Sequence, residues 1–143
     1  MKGIYGLLVE AHDEIVIGRL GRVSFDGAYV YVGSAQGPGG LAKRVARHRA
    51  MASGDVPARH WHIDYLLAIS RRLEVLGAET ADPDAECALA HELARRTASA
   101  IRAFGASDCR CQSHLFRTPA WNEALLVEAF ASLGLRPVKG LWR

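Results

Sequence analysis

The sequence predicts an α+β fold, and three observations carry that prediction. The front third is rich in β-branched and aromatic residues and punctuated by glycine, from "KGIYGLLVE" (2–10) through "EIVIGRLGRVSF" (14–25) to "AYVYVGS" (28–34). The middle holds apolar residues at helical spacing, such as Leu41 and Val45 in "LAKRVARHRAMAS". Two later segments open with an N-cap residue next to proline, at "DPDAEC" and "TPAWNE". Half of the 143 residues are hydrophobic, enough for one domain over 1–143 to bury a core.

Each element has its own local reason. Residues 2–10 read as a strand because Ile4, Tyr5, Leu7, Leu8 and Val9 form a short apolar run. Residues 14–25, broken by Gly18 and Gly21, suggest an extra hairpin before the strand 28–34. In that strand alternation puts Tyr29 and Tyr31 on one face. "GPGG" (37–40) continues neither strand nor helix, so it is a turn leading to a helix from Leu41. A second helix is expected from about Ile63, and a strand over "RLEVLGAET" (72–80). Asp82 or Asp84 with Pro83 starts a helix through about Ile101. "DCRCQSHLF" (108–116) suggests a strand. Thr118 as N-cap, Pro119 in the first turn and Gly134 as terminator frame a last helix, a C-terminal extension over 118–143.

The formal net charge is +3. This permits a polyanionic partner without requiring one. The cations are clustered, in "KRVARHR" (43–49), "RHWH" (59–62), and Arg136, Lys139 and Arg143. No apolar run approaches the ~18 residues of a membrane helix, so no membrane partner is expected. The chain has three cysteines, and "MKGIYGLLVE" is too short an apolar run for a secretory leader. A reducing cytoplasm is the expected compartment.

Two tripeptides then stand out, Gly3-Ile4-Tyr5 and Tyr31-Val32-Gly33, each on a predicted strand. A glycine-rich turn follows the second. Beyond it comes a helix in which Arg44 and His48, at i and i+4, share a face. Glu86 opens a later helix. This constellation resembles the GIY-YIG nuclease superfamily, and the order strand, strand, helix, helix, strand, helix fits that fold. The segments "KGIYGLLVE", "GRLG", "YVYVGSA", "RHWHIDYLL" and "FGASDCRCQSHLF" are similar to the Uri-type members, the DUF123 family, over about residues 2–117.

The resemblance implies a small antiparallel sheet flanked by helices, and a metal-dependent endonuclease that hydrolyses phosphodiester bonds. Its substrate would be nucleic acid, DNA rather than RNA, and its ion Mg²⁺ or Mn²⁺. Glu86 is the expected metal ligand. Arg44 suits a forked contact to the scissile phosphate. Tyr5 is the base that the resemblance favours, with Tyr31 beside it. His48 is the rival base, because an imidazole titrates near neutrality. Gly33 and Ser34 would let backbone approach a phosphate, with Arg47, Trp61 and His62 as further substrate contacts and Trp61 as a stacking surface. The alternative is a module on the same fold that binds nucleic acid without cleaving it.

His60, His62, Cys109, Cys111 and His114 are all zinc-capable, and Cys87 is available. The paired C-x₂₋₄-C and H-x₃₋₅-H spacings of structural zinc sites are absent from the sequence, so zinc is not expected. Packed thiols and hydrogen-bonded histidines are expected instead. Another option sets His62, Asp64, Asp108 and His114 along one substrate cleft.

Overall fold

The computed structural model describes residues 1–56, 58–106 and 109–139. Asp108 and Arg143 lie outside the described residues. Six strands form one sheet in the order β4-β5-β2-β1-β3-β6, and every neighbouring pair is antiparallel. In chain order they are β1 (Gly3–Ile17), β2 (Gly21–Ala35), β3 (Arg72–Glu79), β4 (Ser99–Ala100), β5 (Leu115–Thr118) and β6 (Val138–Lys139). The helices are α1 (Gly40–Ala52), α2 (His62–Ala68), α3 (Ala85–Arg96) and α4 (Glu123–Ser132). The expected α+β fold is therefore present.

Strand parity builds two cores. Tyr5, Leu7 and Val9 of β1 share a face with Tyr29 and Tyr31 of β2 and Val75 of β3. That face is covered by Leu41, Val45 and Met51 of α1 and by Ile63, Leu66 and Leu67 of α2. Ile4 and Leu8 point the other way, with Val30, Val32, Leu76 and Ala78, under Leu89 and Leu93 of α3 and Leu126 and Phe130 of α4. A strand buried on both faces has no need of polar alternation, which explains the unbroken apolar run at the N-terminus.

Four expectations change. Residues 14–25 do not form a separate hairpin. β1 and β2 pair without a break from Gly3↔Ala35 to Ile17↔Gly21, closing through a 3₁₀ turn at Gly18–Leu20. Gly18 (φ +44°) and Gly21 (φ +75°) make that turn possible, because both adopt left-handed φ values that side chains disfavour. The helix expected to reach Ile101 stops at Arg96, where Thr97 turns extended and lets Ser99 and Ala100 pair with β5. The strand expected over 108–116 is confined to Leu115–Thr118. Ala103 N–H donates to Gln112 C=O and His114 N–H to Phe104 C=O, so residues before β5 fold back as a loop. Thr118 ends β5, with its hydroxyl donating toward Ala28 and Ala120 carbonyls, so it caps no helix. Asn122 is the N-cap of α4 instead, accepting from Leu125 N–H at 3.1 Å.

α4 seals the second core. Leu126 is fully buried and lies over Gly6, where a Cβ would collide with its side chain. Gly6→Ala should therefore overpack this contact and cost about 1–3 kcal/mol, read as a lower urea midpoint at unchanged slope. An unchanged midpoint would contradict the packing.

Candidate active site

The C-terminal half of β2 outruns its neighbour. Pairing with β5 ends at Tyr31↔Leu115, and Val32 N–H still donates to His114 C=O. Beyond that point a polar cavity of about 410 Å³ opens. It is lined by Tyr5, Tyr31, Gly33, Ser34, Gln36, Gly37, Arg44, His48, His60, Trp61, His62, Glu86 and Gly105. Glu86 comes from α3, on the far side of the sheet, and joins the cavity there.

His48 belongs to the buried stripe of α1, Leu41–Val45–His48. The stripe that anchors the helix thus aims an imidazole at β1. Its Nε2 lies 2.7 Å from the Tyr5 hydroxyl, and both residues are 1% exposed. Burial lowers the His48 pKa from its usual 6.5 to about 3, with the nearby Arg44 cation contributing. Burial also raises the Tyr5 hydroxyl well above its ordinary value, against the pull of Arg44. Both groups are therefore neutral near pH 7; with the phenol as donor to Nε2, the ring proton sits on Nδ1, which is buried and has no hydrogen-bond partner among the described residues. Tyr31 is likewise raised, by burial first and then by Tyr5 and Glu86. The two base candidates read from the sequence are one hydrogen-bonded pair.

Gly33 lines the cavity and has a steric role as well. It is the cross-strand partner of Tyr5, and a Cβ there would collide with the Tyr5 ring and hydroxyl. Its bareness makes room for the phenol.

The helix start at α2 fixes the opposite wall. Asp64, fully buried, accepts a fork from Arg47 at 2.7 and 2.9 Å and backbone N–H bonds from His60 and Trp61 at 2.8 and 3.0 Å. Burial raises its pKa, but these bonds outweigh that and hold the carboxyl below its usual range. Arg47 is thereby tied to Asp64 and does not line the cavity, unlike the other nine residues singled out from sequence. The Arg44 and Arg47 guanidiniums stand over the Trp61 ring, at 4.6 and 4.2 Å from its centroid. Trp61 nevertheless remains 40% exposed. His62 Nδ1 accepts from Gly105 N–H at 2.9 Å, so its Nε2 carries the proton of the neutral ring. The proposed cleft of His62, Asp64 and His114 is not formed, because Asp64 is enclosed by its four donors and neither it nor His114 lines the cavity.

Glu86 is the cavity's carboxylate, with a side chain 29% exposed. Its Oε2 is 3.4 Å from His114 Nδ1. Sequence reading missed Gln36, Gly37, His60 and Gly105 in the lining, and the structural role of Asp64. A signal for Asp64 was available, since it stands three residues after Trp61, where an acid can cap back onto the first turn.

A two-sided antiparallel sheet with a polar cavity of phenols, imidazoles, a guanidinium and one acid defines an α+β protein with a titratable pocket. The chain belongs to the DUF123 family, described as a domain of unknown function, whose model matches residues 4–135. No curated protein and no solved structure matches the chain. Among the described residues, no helix is long and apolar enough to cross a membrane.

The buried imidazole predicts a pH effect on stability. The folded pKa of His48 lies below the unfolded value, so its contribution is complete above about pH 6.5 and is lost as pH falls toward 3. The loss is on the order of 4 kcal/mol. Asp64, held low in the fold, adds to it only below about pH 4. Denaturant unfolding across pH should show His48→Gln with a flatter profile between pH 6.5 and 4 than the parent chain. Superimposable profiles would contradict a buried neutral imidazole.

Proposed function

We propose that this chain is a metal-dependent endonuclease that cleaves phosphodiester bonds, with DNA as its substrate. The observation that supports this reading best is the convergence of the Tyr5–His48 hydrogen bond, Arg44 and Glu86 on one cavity roomy enough for a sugar-phosphate. Those side chains come from β1, α1 and α3. Hydrolysis of a phosphodiester needs a deprotonated water, neutralisation of charge on the phosphoryl oxygens and room for both, and the cavity offers candidates for each need.

Glu86 suits Mg²⁺ or Mn²⁺, because a single carboxylate in a wet cavity leaves the remaining positions of a hard cation to water and phosphate oxygen. When bound there, such an ion would supply Lewis-acid stabilisation of the phosphoryl charge. Arg44, at the cavity rim, offers the planar fork that matches two phosphate oxygens. Tyr5 sits with its hydroxyl donating to His48, so a water that gives its proton to the phenol oxygen does so while the phenol proton passes to Nε2. The phenol then never carries a full charge in its buried position, where burial makes phenolate costly. A phosphate docking on Arg44 also neutralises one of the three causes that depress His48, beside burial and Arg47, which raises the basicity of the imidazole when substrate is present. Trp61, held under the Arg44 and Arg47 guanidiniums and still part-exposed, offers an aromatic contact to a base beside the scissile bond.

Labelled single- and double-stranded DNA and RNA incubated with Mg²⁺ or Mn²⁺ test the reading. Cleavage of DNA is expected, with Tyr5→Phe reducing it about 10²–10⁴-fold. Arg44→Ala is expected to cost about 10²–10³-fold, and Glu86→Ala to abolish metal-dependent turnover. Binding that weakens with salt but yields no product would favour a non-catalytic module and overturn the proposal.

A further inference from the structure

Four side chains outside the cavity converge behind it. Cys87 lies in the first turn of α3, directly after Glu86. Cys109, Cys111 and His114 lie in the loop that precedes β5. One ligand atom from each, three sulfurs and an imidazole nitrogen, all fall within 4.8 Å of one another. His114 is almost completely buried, and its Nε2 lies 3.4 Å from Cys109 Sγ. All three cysteines are free thiols. The linear C-x-C-x₂-H spacing concealed this set, because its fourth member comes from a helix more than twenty residues upstream and from the other side of a turn.

We infer that Cys87, Cys109, Cys111 and His114 form a structural zinc site. The donor set is S₃N, a combination that closed tetrahedral zinc sites use. Soft thiolates select zinc over the hard cations suited to Glu86. The spread of the four atoms suits a single ion. With Zn–S near 2.3 Å, ligand atoms of a tetrahedral site lie roughly 3.5–4 Å apart, so small rotations bring all four into contact with one ion. On binding, the three thiols release their protons to solvent and each sulfur donates an electron pair to the metal. All four positions come from the protein, so no open coordination site remains for water, and the role is structural.

The site's position gives it a consequence for the cavity. With Nε2 facing the sulfurs, His114 turns Nδ1 toward Glu86 Oε2 at 3.4 Å. A ligating histidine commonly donates its second nitrogen to a carboxylate, which fixes both groups. Zinc would also tie the loop containing Gly105 to the first turn of α3, and Gly105 and Glu86 are both cavity walls. The zinc assignment does not depend on the nuclease reading, because it rests on a different set of side chains.

The full chain, purified without chelator from zinc-containing medium, should carry about one zinc per chain by elemental analysis. Replacing zinc with Co²⁺ should give the intense visible bands of tetrahedral thiolate coordination with sulfur-to-cobalt charge transfer in the near ultraviolet. Cys87→Ser should lower bound metal at least about tenfold at fixed free zinc, whereas His91→Ala, an exposed histidine on the same helix, should leave it unchanged. If Cys87→Ser does not fold, the Co²⁺ spectrum of the unsubstituted chain decides alone. Metal-free protein with no thiolate–cobalt spectrum, or a mass two hydrogens short under non-reducing conditions that marks a disulfide among the three cysteines, would overturn the assignment. None of these measurements involves cleavage, so their failure is distinct from failure of the nuclease proposal.

Discussion

The hydrogen bond between the Tyr5 hydroxyl and His48 Nε2 joins the central strand to the first helix, with both residues almost completely buried. Everything else in the cavity is arranged around that bond. It requires Gly33 opposite Tyr5, since a side chain there would occupy the phenol's position. It requires α1 to bury His48 on the same stripe as Leu41 and Val45, so the contacts that hold the helix on the sheet also hold the imidazole. At rest both partners are neutral near pH 7, because burial disfavours the charged form of each. The interaction anchors a helix and, in the proposed nuclease mechanism, also carries a proton from the phenol to the imidazole.

The second constraint is the enclosed Asp64 carboxylate. A buried acid stands only if its lone pairs are met, and here Arg47 and two backbone N–H groups meet them. The same fork that satisfies Asp64 lays Arg47 against Trp61, which in turn supports Arg44. A chain of contacts thus runs from a helix cap to Arg44, whose guanidinium lines the cavity. Arg47 positions Trp61 and Arg44 and is not itself at the surface of the pocket.

How much of this was legible follows from the range of the interactions. Strand parity was readable, because alternate residues of a strand must face opposite ways, and Tyr29 and Tyr31 do share a face. The gathering of Tyr5, Tyr31, Arg44, His48 and Glu86 was also foreseen, through short motifs whose order the fold preserves. What sequence could not supply was registry between distant segments. The continuity of β1 and β2 through the glycines at 18 and 21 depends on pairing that glycine-based punctuation disguises. The pair Ser99–Ala100 is too short to carry a pattern and becomes a strand only because β5 lies beside it. The tie between Arg47 and Asp64 was not legible, because the two lie 17 residues apart on different helices. Cys87 gave no sign of meeting Cys109 and Cys111, since that encounter is made by the sheet edge and not by spacing.

The central claim is that a neutral Tyr5–His48 pair with Tyr5 as donor sits at the cavity floor. Nitrogen-15 NMR of the histidine side chains, followed with pH, tests it most directly. The account predicts that His48 keeps an unprotonated Nε2 and a protonated Nδ1 from pH 8 down to about 5, with no titration near 6.5. A His48 signal that titrates near neutrality, or one that carries its proton on Nε2 throughout, would contradict it.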